Sequence, residues 1–169
     1  MESTMVDECR VDEGRGTDAV LLLVEDNPDD VLLVRRALRK AALAVSMQEV
    51  RDGDEAVAYL EGSGGFADRA RHPLPALILL DLKLPRRSGL EVLRWIRSRP
   101  ALATTPVVVL TSSGEDEDIQ NAYALGANSY LQKPVAFNGL VELLGVLGLY
   151  WFKNNLTAPP AHAPAAARL

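Results

Sequence analysis

The strongest constraint on the fold of this chain is a repeated alternation between short apolar runs and segments in which apolar residues recur at helical spacing. Apolar-rich runs predict strands at 19–24, 45–50, 76–82, 107–110 and 129–131. The first, third and fourth are nearly uninterrupted, which is typical of strands buried on both faces. Because a helical segment follows each strand, the pattern predicts an α/β fold with a parallel sheet covered by helices on both faces.

Local signals predict where several helices begin. Asn27 is a predicted N-cap, directly before a proline that suits the first helical position. Ser88 with Glu91 predicts a capping box, and Ser113 with Asp116 predicts a second one. The segment at 62–75 is long for a connection in an α/β fold. A last amphipathic helix is predicted from apolar residues that recur between 140 and 151.

The composition excludes several classes of protein. Apolar residues make up 48% of the 169 residues and charged residues 24%, so neither a disordered nor a collagen-like chain fits. The single cysteine, Cys9, cannot form an intramolecular disulfide. No apolar run approaches the roughly 20 residues of a membrane span, and no signal peptide is visible, so we expect a cytoplasmic protein without a membrane partner. The net charge of −5 without a basic stripe argues against direct DNA binding.

The two ends differ in composition from the middle of the chain. Residues 1–18 are acidic and short of apolar residues, so we expect a flexible leader. Residues 154–169 are rich in proline and alanine and are expected to form a tail or linker. One folded domain is therefore predicted over 19–153.

Chemically capable side chains follow the predicted strands at the points where they end. Glu25 and Asp26 follow the first strand, Asp81 ends the third, Thr111 follows the fourth, and Lys133 comes shortly after the fifth. The carboxyl ends of parallel strands meet at one edge of a sheet, which is where ligands bind. Carboxylates that converge there repel each other unless they take up protons or bind a cation, and an all-oxygen site with room for water suits Mg²⁺.

These residue types favour phosphoryl-transfer chemistry. A carboxylate beside Mg²⁺ can attack a phosphoryl group and form an aspartyl phosphate. A lysine and a hydroxyl can hold the phosphoryl oxygens during the transfer. Each residue alone also has a structural explanation, such as a helix N-terminus for Glu25 and Asp26 or a solvated surface charge for Lys133. Their occurrence together at successive strand ends is what favours a functional site.

Over roughly residues 20–149 the chain resembles the receiver domain of bacterial two-component response regulators. The matching segments are LLLVEDNPDD, LILLDLKLPRRSGLEVL, PVVVLTSSGE and GANSYLQKPV. Asp81, Pro85 and Gly89 match the family pattern Asp-x-x-x-Pro-x-x-x-Gly, while Thr111 and Lys133 stand at the family spacing from Asp81. The resemblance implies a doubly wound, flavodoxin-like sheet of five parallel strands in the order 2-1-3-4-5.

The resemblance also implies a metal site and a phosphoacceptor. Asp81 is then the phosphoacceptor. Mg²⁺ is implied to bind the side chains of Asp26 and Asp81 and the backbone carbonyl of Lys83, with Glu25 acting through a water. The side chains of Lys83 and Ser113 occupy positions that vary within the family and are implied to tune the lifetime of the phosphorylated state.

Four further residues acquire roles from the same resemblance. Thr111 and Lys133 are implied to hold the phosphoryl oxygens. A cis peptide bond before Pro134 is implied to orient Lys133. Thr111 and Tyr130 form the implied switch, in which the tyrosine ring turns inward as the threonine moves toward the phosphoryl group.

The implied partner is a sensor histidine kinase, and the protein is implied to be a phosphoacceptor with slow autodephosphorylation, not a turnover enzyme. The long loop, the segment EDIQNAYALGANSYLQKP and the ending YWFKNNLTAPP are similar to stand-alone regulators paired with phytochrome-type kinases. That similarity implies a bacteriophytochrome partner and a homodimer. The apolar segment at 147–152 fits either a last core helix or a contact with another subunit. Since no output domain follows in this sequence, we expect action through protein contacts or as a phosphate relay.

Three other functions are compatible with an α/β fold. A phosphohydrolase of the haloacid dehalogenase type needs a second acid two residues after its nucleophile, where this chain has Lys83. A nucleotide-binding domain needs glycines in the first loop, which here reads Glu-Asp-Asn-Pro. An inert interaction module is expected to lack one of the site residues, and none is missing.

Overall fold

The computed structural model describes residues 19–158, which form alternating strands and helices. The strands are β1 (Val20–Val24), β2 (Ser46–Val50), β3 (Leu77–Leu80), β4 (Val107–Thr111) and β5 (Ser129–Gln132). The helices are α1 (Pro28–Lys40), α2 (Gly53–Glu61), α3 (Gly89–Ser98), α4 (Asp116–Ala124) and α5 (Phe137–Gly148). A 3₁₀ turn spans Gly64–Phe66, and a π-helical stretch, Leu149–Asn154, continues α5.

All neighbouring strands are parallel, in the order β2-β1-β3-β4-β5, which confirms the predicted fold. The chain moves from β1 outward to β2 and then crosses to β3 on the other side. This reversal creates a crevice at the carboxyl ends of β1 and β3, the usual ligand site of open α/β sheets.

The sheet has an apolar core on each face. Alternate residues of β1 and β3 face opposite sides, as the period of a strand requires. On one side Leu22 and Ile78 pack with residues of α2 and α3, and a smaller cluster beneath α4 continues this layer. On the other side Leu21 and Leu79 pack with residues of α1 and α5. Burial on both faces explains why these strands are apolar throughout.

Two of the three predicted helix starts are confirmed. The Asn27 side chain accepts a hydrogen bond from the Asp29 N–H, and Ser88 forms the reciprocal capping box with Glu91. The second predicted capping box is wrong, because α4 begins after Glu115 without a side-chain cap. The Ser113 hydroxyl donates instead to Asp118, in the first turn of the helix.

The expected leader at 1–18 and most of the expected tail lie outside the described residues. In the apolar segment at 147–152, Leu147, Trp151 and Phe152 pack against the core, as a last core helix predicts, while Leu149 and Tyr150 are exposed. In the described part of the chain, no helix is both long enough and apolar enough to cross a membrane.

Candidate functional site

Three carboxylates converge at the crevice between β1 and β3. Glu25 and Asp81 directly follow these strands, and their backbone N–H groups donate to Val50 and Val24, which extends the sheet ladder to the site. One carboxylate oxygen from each of Glu25, Asp26 and Asp81 lies within 4.8 Å of the others. Glu25 and Asp81 are buried, whereas Asp26 is exposed, so the cluster is open to solvent on one side.

Lys133 neutralises much of this negative charge. Its Nζ donates to Glu25 Oε2 at 2.5 Å, to Asp30 Oδ2 at 2.8 Å and to Asp81 Oδ2 at 3.2 Å. An ammonium group has three N–H donors, so every one of them is used. The backbone N–H of Lys133 also donates to the carbonyl of Thr111, which ties the end of β5 to the end of β4.

Burial and the neighbouring charges shift the pKa values of this cluster in opposite directions. Burial raises the pKa of the Glu25 carboxyl above its ordinary value, although the hydrogen bond from Lys133 acts in the other direction. Burial alone would lower the pKa of Lys133, but hydrogen bonds to Asp30 and Glu25 outweigh that effect and raise it. Lys133 is therefore held firmly in its charged form.

The other predicted residues lie around this cluster. Thr111 is fully buried at the end of β4, the strand next to β3. The Lys83 side chain is exposed, and its backbone N–H donates to Asp81 Oδ1 at 3.3 Å. Ser113 is buried, with its hydroxyl on Asp118 Oδ2 at 2.5 Å.

Tyr130 joins β5 to the loop after β4. Its ring is half-buried against a cluster formed by Leu82, Val109 and Ala122. Its hydroxyl donates to the backbone carbonyl of Ser113 at 3.0 Å. The Tyr130 ring therefore points toward the protein interior, an arrangement called inward below, and lies next to the loop that follows Thr111.

The expected cis peptide bond before Pro134 is contradicted, since the Lys133–Pro134 bond is trans. The two isomers of a bond before proline differ by only about 0.5–1 kcal/mol, so the surroundings decide between them. Here the carboxylates around Nζ and the backbone bond to Thr111 orient Lys133. That orientation does not depend on a cis bond.

Sequence reasoning missed one member of the site, Asp30. Asp30 stands in the first turn of α1, where acidic residues are common. The structure brings its carboxylate to Lys133. Asp26 precedes the N-cap Asn27, so helical spacing gives no signal for this contact, which depends on how α1 is rotated against β5.

The donor chemistry of the cluster fits a small divalent cation. Carboxylate oxygens are hard ligands, and Mg²⁺ binds through few of them while keeping several waters. Asp26, on the exposed side, leaves room for such waters. The two buried acids beside it, Glu25 and Asp81, carry negative charge that a bound cation would balance.

Comparison with known proteins agrees with this geometry. The family model of the response regulator receiver domain matches residues 21–145. The probable methanogenesis regulatory protein FilR2 of Methanothrix harundinacea is 39% identical over 145 residues, which cover 84% of this chain and 89% of that protein. Response regulator Rcp1 of Synechocystis sp. is 37% identical over 142 residues, with 84% of this chain and 94% of that protein covered.

Solved structures show the same relationship. The phosphorylated cyanobacterial phytochrome response regulator RcpA superimposes with a TM-score of 0.78 at 36% identity, covering 85% of this chain and 100% of that one. The Mn²⁺-bound form of Rcp1 gives a TM-score of 0.75 at 35% identity, covering 83% of this chain and 99% of that one. With its site residues at the ends of β1, β3, β4 and β5, this chain belongs to the response regulator receiver domain family of two-component signalling proteins.

Proposed function

We propose that Asp81 accepts a phosphoryl group from a phosphohistidine of a sensor histidine kinase. The observation that carries this proposal is the convergence of Asp81 with Glu25 and Asp26, together with the hydrogen bond from Lys133 to Asp81. Lys133 now contacts the Asp81 carboxylate. After phosphorylation of Asp81, the same ammonium group can contact the phosphoryl oxygens instead.

The chemistry is an in-line displacement at phosphorus. An Asp81 carboxylate oxygen forms the new O–P bond while the P–N bond of the phosphohistidine breaks. The leaving imidazole nitrogen keeps the bonding electron pair and takes up a proton. Lys133 stabilises the charge on the phosphoryl oxygens, and the hydroxyl of Thr111 donates to one of them.

Magnesium is the proposed cofactor. Its ligands in this proposal are the side chains of Asp26 and Asp81 and the backbone carbonyl of Lys83, with Glu25 acting through a water. The bound cation would neutralise negative charge on the transferring group. The likeness to the Mn²⁺-bound form of Rcp1 supports a divalent cation at the equivalent place.

Three residues around the acceptor have regulatory roles in this proposal. Lys83 and Ser113 flank the phosphoryl position and set how long the phosphorylated state lasts. Tyr130 reports that state through its contact with the loop after Thr111. Phosphorylation would act by shifting an equilibrium between two arrangements of this region. If the aspartyl phosphate is hydrolysed only slowly, as proposed here, the protein acts as a signal carrier and not as a turnover enzyme.

The proposed partner is a phytochrome-type kinase, and the proposed assembly is a homodimer in the cytoplasm. The likeness to RcpA and to the bacteriophytochrome response regulator RtBRR supports the kinase class. Exposed apolar side chains at Val146, Leu149 and Tyr150 support pairing with a second copy. Downstream action would then proceed through protein contacts.

Substitution of the acceptor tests the proposal directly. Asp81→Asn should abolish labelling by acetyl phosphate and Mg²⁺, because an amide oxygen is not a nucleophile of comparable strength. Intact-protein mass spectrometry measures the added phosphoryl group, and chelation of Mg²⁺ should prevent labelling of the wild type. Asp68→Asn, in the exposed loop before β3, is the matched control and should label normally.

Other results would contradict the proposal. Undiminished labelling of the Asp81→Asn variant would show that the acceptor lies elsewhere. Steady release of phosphate from monoesters without stoichiometric labelling would favour a hydrolase. An absence of any response to Mg²⁺ or phosphodonor would favour an inert interaction module.

A further inference from the structure

Tyr123 in α4 has no role in the site described above, yet it contacts the strand that carries Tyr130. The Tyr123 hydroxyl accepts a hydrogen bond from the backbone N–H of Tyr130 at 3.1 Å. Within residues 19–158, strand β5 lies at the edge of the sheet and pairs only with β4. A side chain of a helix therefore supplies a partner to the backbone of an edge strand.

The direction of this N–H group follows from the β-sheet pattern. The N–H of Lys133, three positions further on, donates to Thr111 of β4. Alternate N–H groups along a strand point to the same side, so that of Tyr130 points away from β4 and toward the open edge. Without Tyr123 this donor would bond only to solvent.

Helix α4 is connected to the region of the switch at both of its ends. In its first turn, Asp118 accepts a hydrogen bond from the Ser113 hydroxyl. In its last turn, Tyr123 holds the backbone of Tyr130. Tyr130 in turn donates its own hydroxyl to the carbonyl of Ser113. These three bonds form a closed connection between the loop after β4, helix α4 and the edge strand.

We propose that Tyr123 is a positioning residue that couples α4 to the inward arrangement of Tyr130. Its hydroxyl fixes the backbone of Tyr130 where the phenol group reaches Ser113. In the proposed function, a phosphoryl group at Asp81 stabilises the inward arrangement of Tyr130. Because coupling between two sites is reciprocal, the Tyr123 hydrogen bond, which stabilises the same arrangement, also favours the phosphoryl group at Asp81. The inference rests on the proposed function, in which phosphorylation acts through Thr111 and Tyr130.

The test is a Tyr123→Phe variant, which keeps the ring and removes only the hydroxyl. Tyr59→Phe is the control, because it also removes a tyrosine hydroxyl that bonds to the backbone, here the Pro73 carbonyl, but lies in α2. Amide hydrogen exchange resolved by NMR should become at least several-fold faster at Tyr130 in the Tyr123→Phe variant. The amide of Leu131, which points toward β4, should keep its wild-type rate.

Binding of beryllofluoride with Mg²⁺, a mimic of the phosphoryl group, provides the second measurement. Loss of one hydrogen bond of ordinary strength should weaken the apparent affinity of the Tyr123→Phe variant about threefold to fivefold. The Tyr59→Phe variant should bind as the wild type does. Affinity equal to the wild type in Tyr123→Phe would overturn the inference, whether or not exchange at Tyr130 had changed.

The two proposals can fail separately. If the wild type neither binds beryllofluoride nor is labelled at Asp81, the proposed function fails. If the wild type does both and Tyr123→Phe is indistinguishable from it in exchange and affinity, the function stands and the coupling role of Tyr123 is refuted.

Discussion

At Lys133 one ammonium group is shared among three carboxylates, and in the proposed mechanism the third of them, Asp30, limits how much positive charge faces an incoming phosphodonor. Glu25 and Asp81 belong to the acidic cluster itself, whereas Asp30 reaches Lys133 from α1. A phosphoryl group carries negative charge and is attracted by the ammonium. Asp30 therefore competes with it for the same cation.

Asp30→Asn should increase the rate of labelling by acetyl phosphate. The substitution keeps the side-chain size but removes one negative charge beside Nζ. Because Asp30 is about one-third exposed and solvent screens its charge, we expect a change on the order of 1 kcal/mol, or roughly fivefold in rate. Initial rates of labelling at constant Mg²⁺ and ionic strength measure it.

Asp29→Asn is the control, since it removes the same charge from the same helical turn. Asp29 is exposed, and its neighbour Asn27 caps its N–H group. This variant should label at nearly the wild-type rate. Equal labelling rates in the two variants would show that Asp30 acts only as an acidic residue of the first helical turn. Slower labelling of Asp30→Asn would show that Asp30 mainly orients Lys133.

Individual residues were predictable where the sheet alone determines their place. Glu25, Asp81 and Thr111 follow from the rule that strand ends meet at one edge. Asp30 did not follow, because its contact depends on the rotation of α1 about its own axis. Ser113 was misassigned because its hydroxyl has two possible partners within one turn of α4, and only the folded loop determines which is used.

Among the connections between elements, the long loop between α2 and β3 is joined to α2 through several hydrogen bonds from the Arg69 side chain. The Arg69 guanidinium donates to the carbonyls of Tyr59, Leu60 and His72 at 2.7, 2.7 and 3.1 Å. Two of these carbonyls, those of Tyr59 and Leu60, lie in the last turn of α2, where i→i+4 helical bonds end. The Tyr59 carbonyl also accepts from the Gly62 N–H. The aromatic rings of Tyr59, Phe66 and His72 pack together beneath this contact.

Arg69→Met should therefore destabilise the domain, by about 2–3 kcal/mol for the loss of several hydrogen bonds from a charged donor. Methionine retains an apolar stem of similar length, so packing is largely kept. Urea denaturation measures the change in the free energy of unfolding. Arg71→Met is the control: that side chain is 81% exposed and pairs only with Asp68, so the expected loss is negligible. Equal stability of the two variants would contradict this role of Arg69.

The order of helices and strands was predictable because each element carries its own signal. Apolar runs indicate the buried strands, and caps such as Ser88 with Glu91 indicate where helices begin. The packing of the loop at 62–75 was not predictable, since Arg69 meets backbone carbonyls nine and ten residues away and a backbone carbonyl has no sequence signature. The sequence indicated only that this segment is long for a connection in an α/β fold.

Over the whole molecule, the proposed homodimer would pair two copies through the exposed apolar residues on α5 and the π-helical stretch. Val146 and Tyr150 border one shallow cleft beside β5, and Leu149 lies between them in sequence. All three side chains are at least half exposed, while their neighbours Leu147 and Trp151 pack against the core. In a two-fold symmetric dimer each of these residues is buried twice, once from each copy.

Leu149→Glu should therefore shift the protein toward monomers. Loss of two buried leucine side chains, at about 1.5–3 kcal/mol each, corresponds to a dimer dissociation constant raised by two to four orders of magnitude. Sedimentation equilibrium measures this, and circular dichroism checks that the fold is kept. Leu32→Glu is matched in exposure, at 50% against 51%, but lies on α1 beside the acidic cluster, so it should leave the dimer intact. A wild type that stays monomeric at high concentration would contradict the proposed homodimer. Equal dissociation of the dimer in both variants would show that the contact surface lies elsewhere.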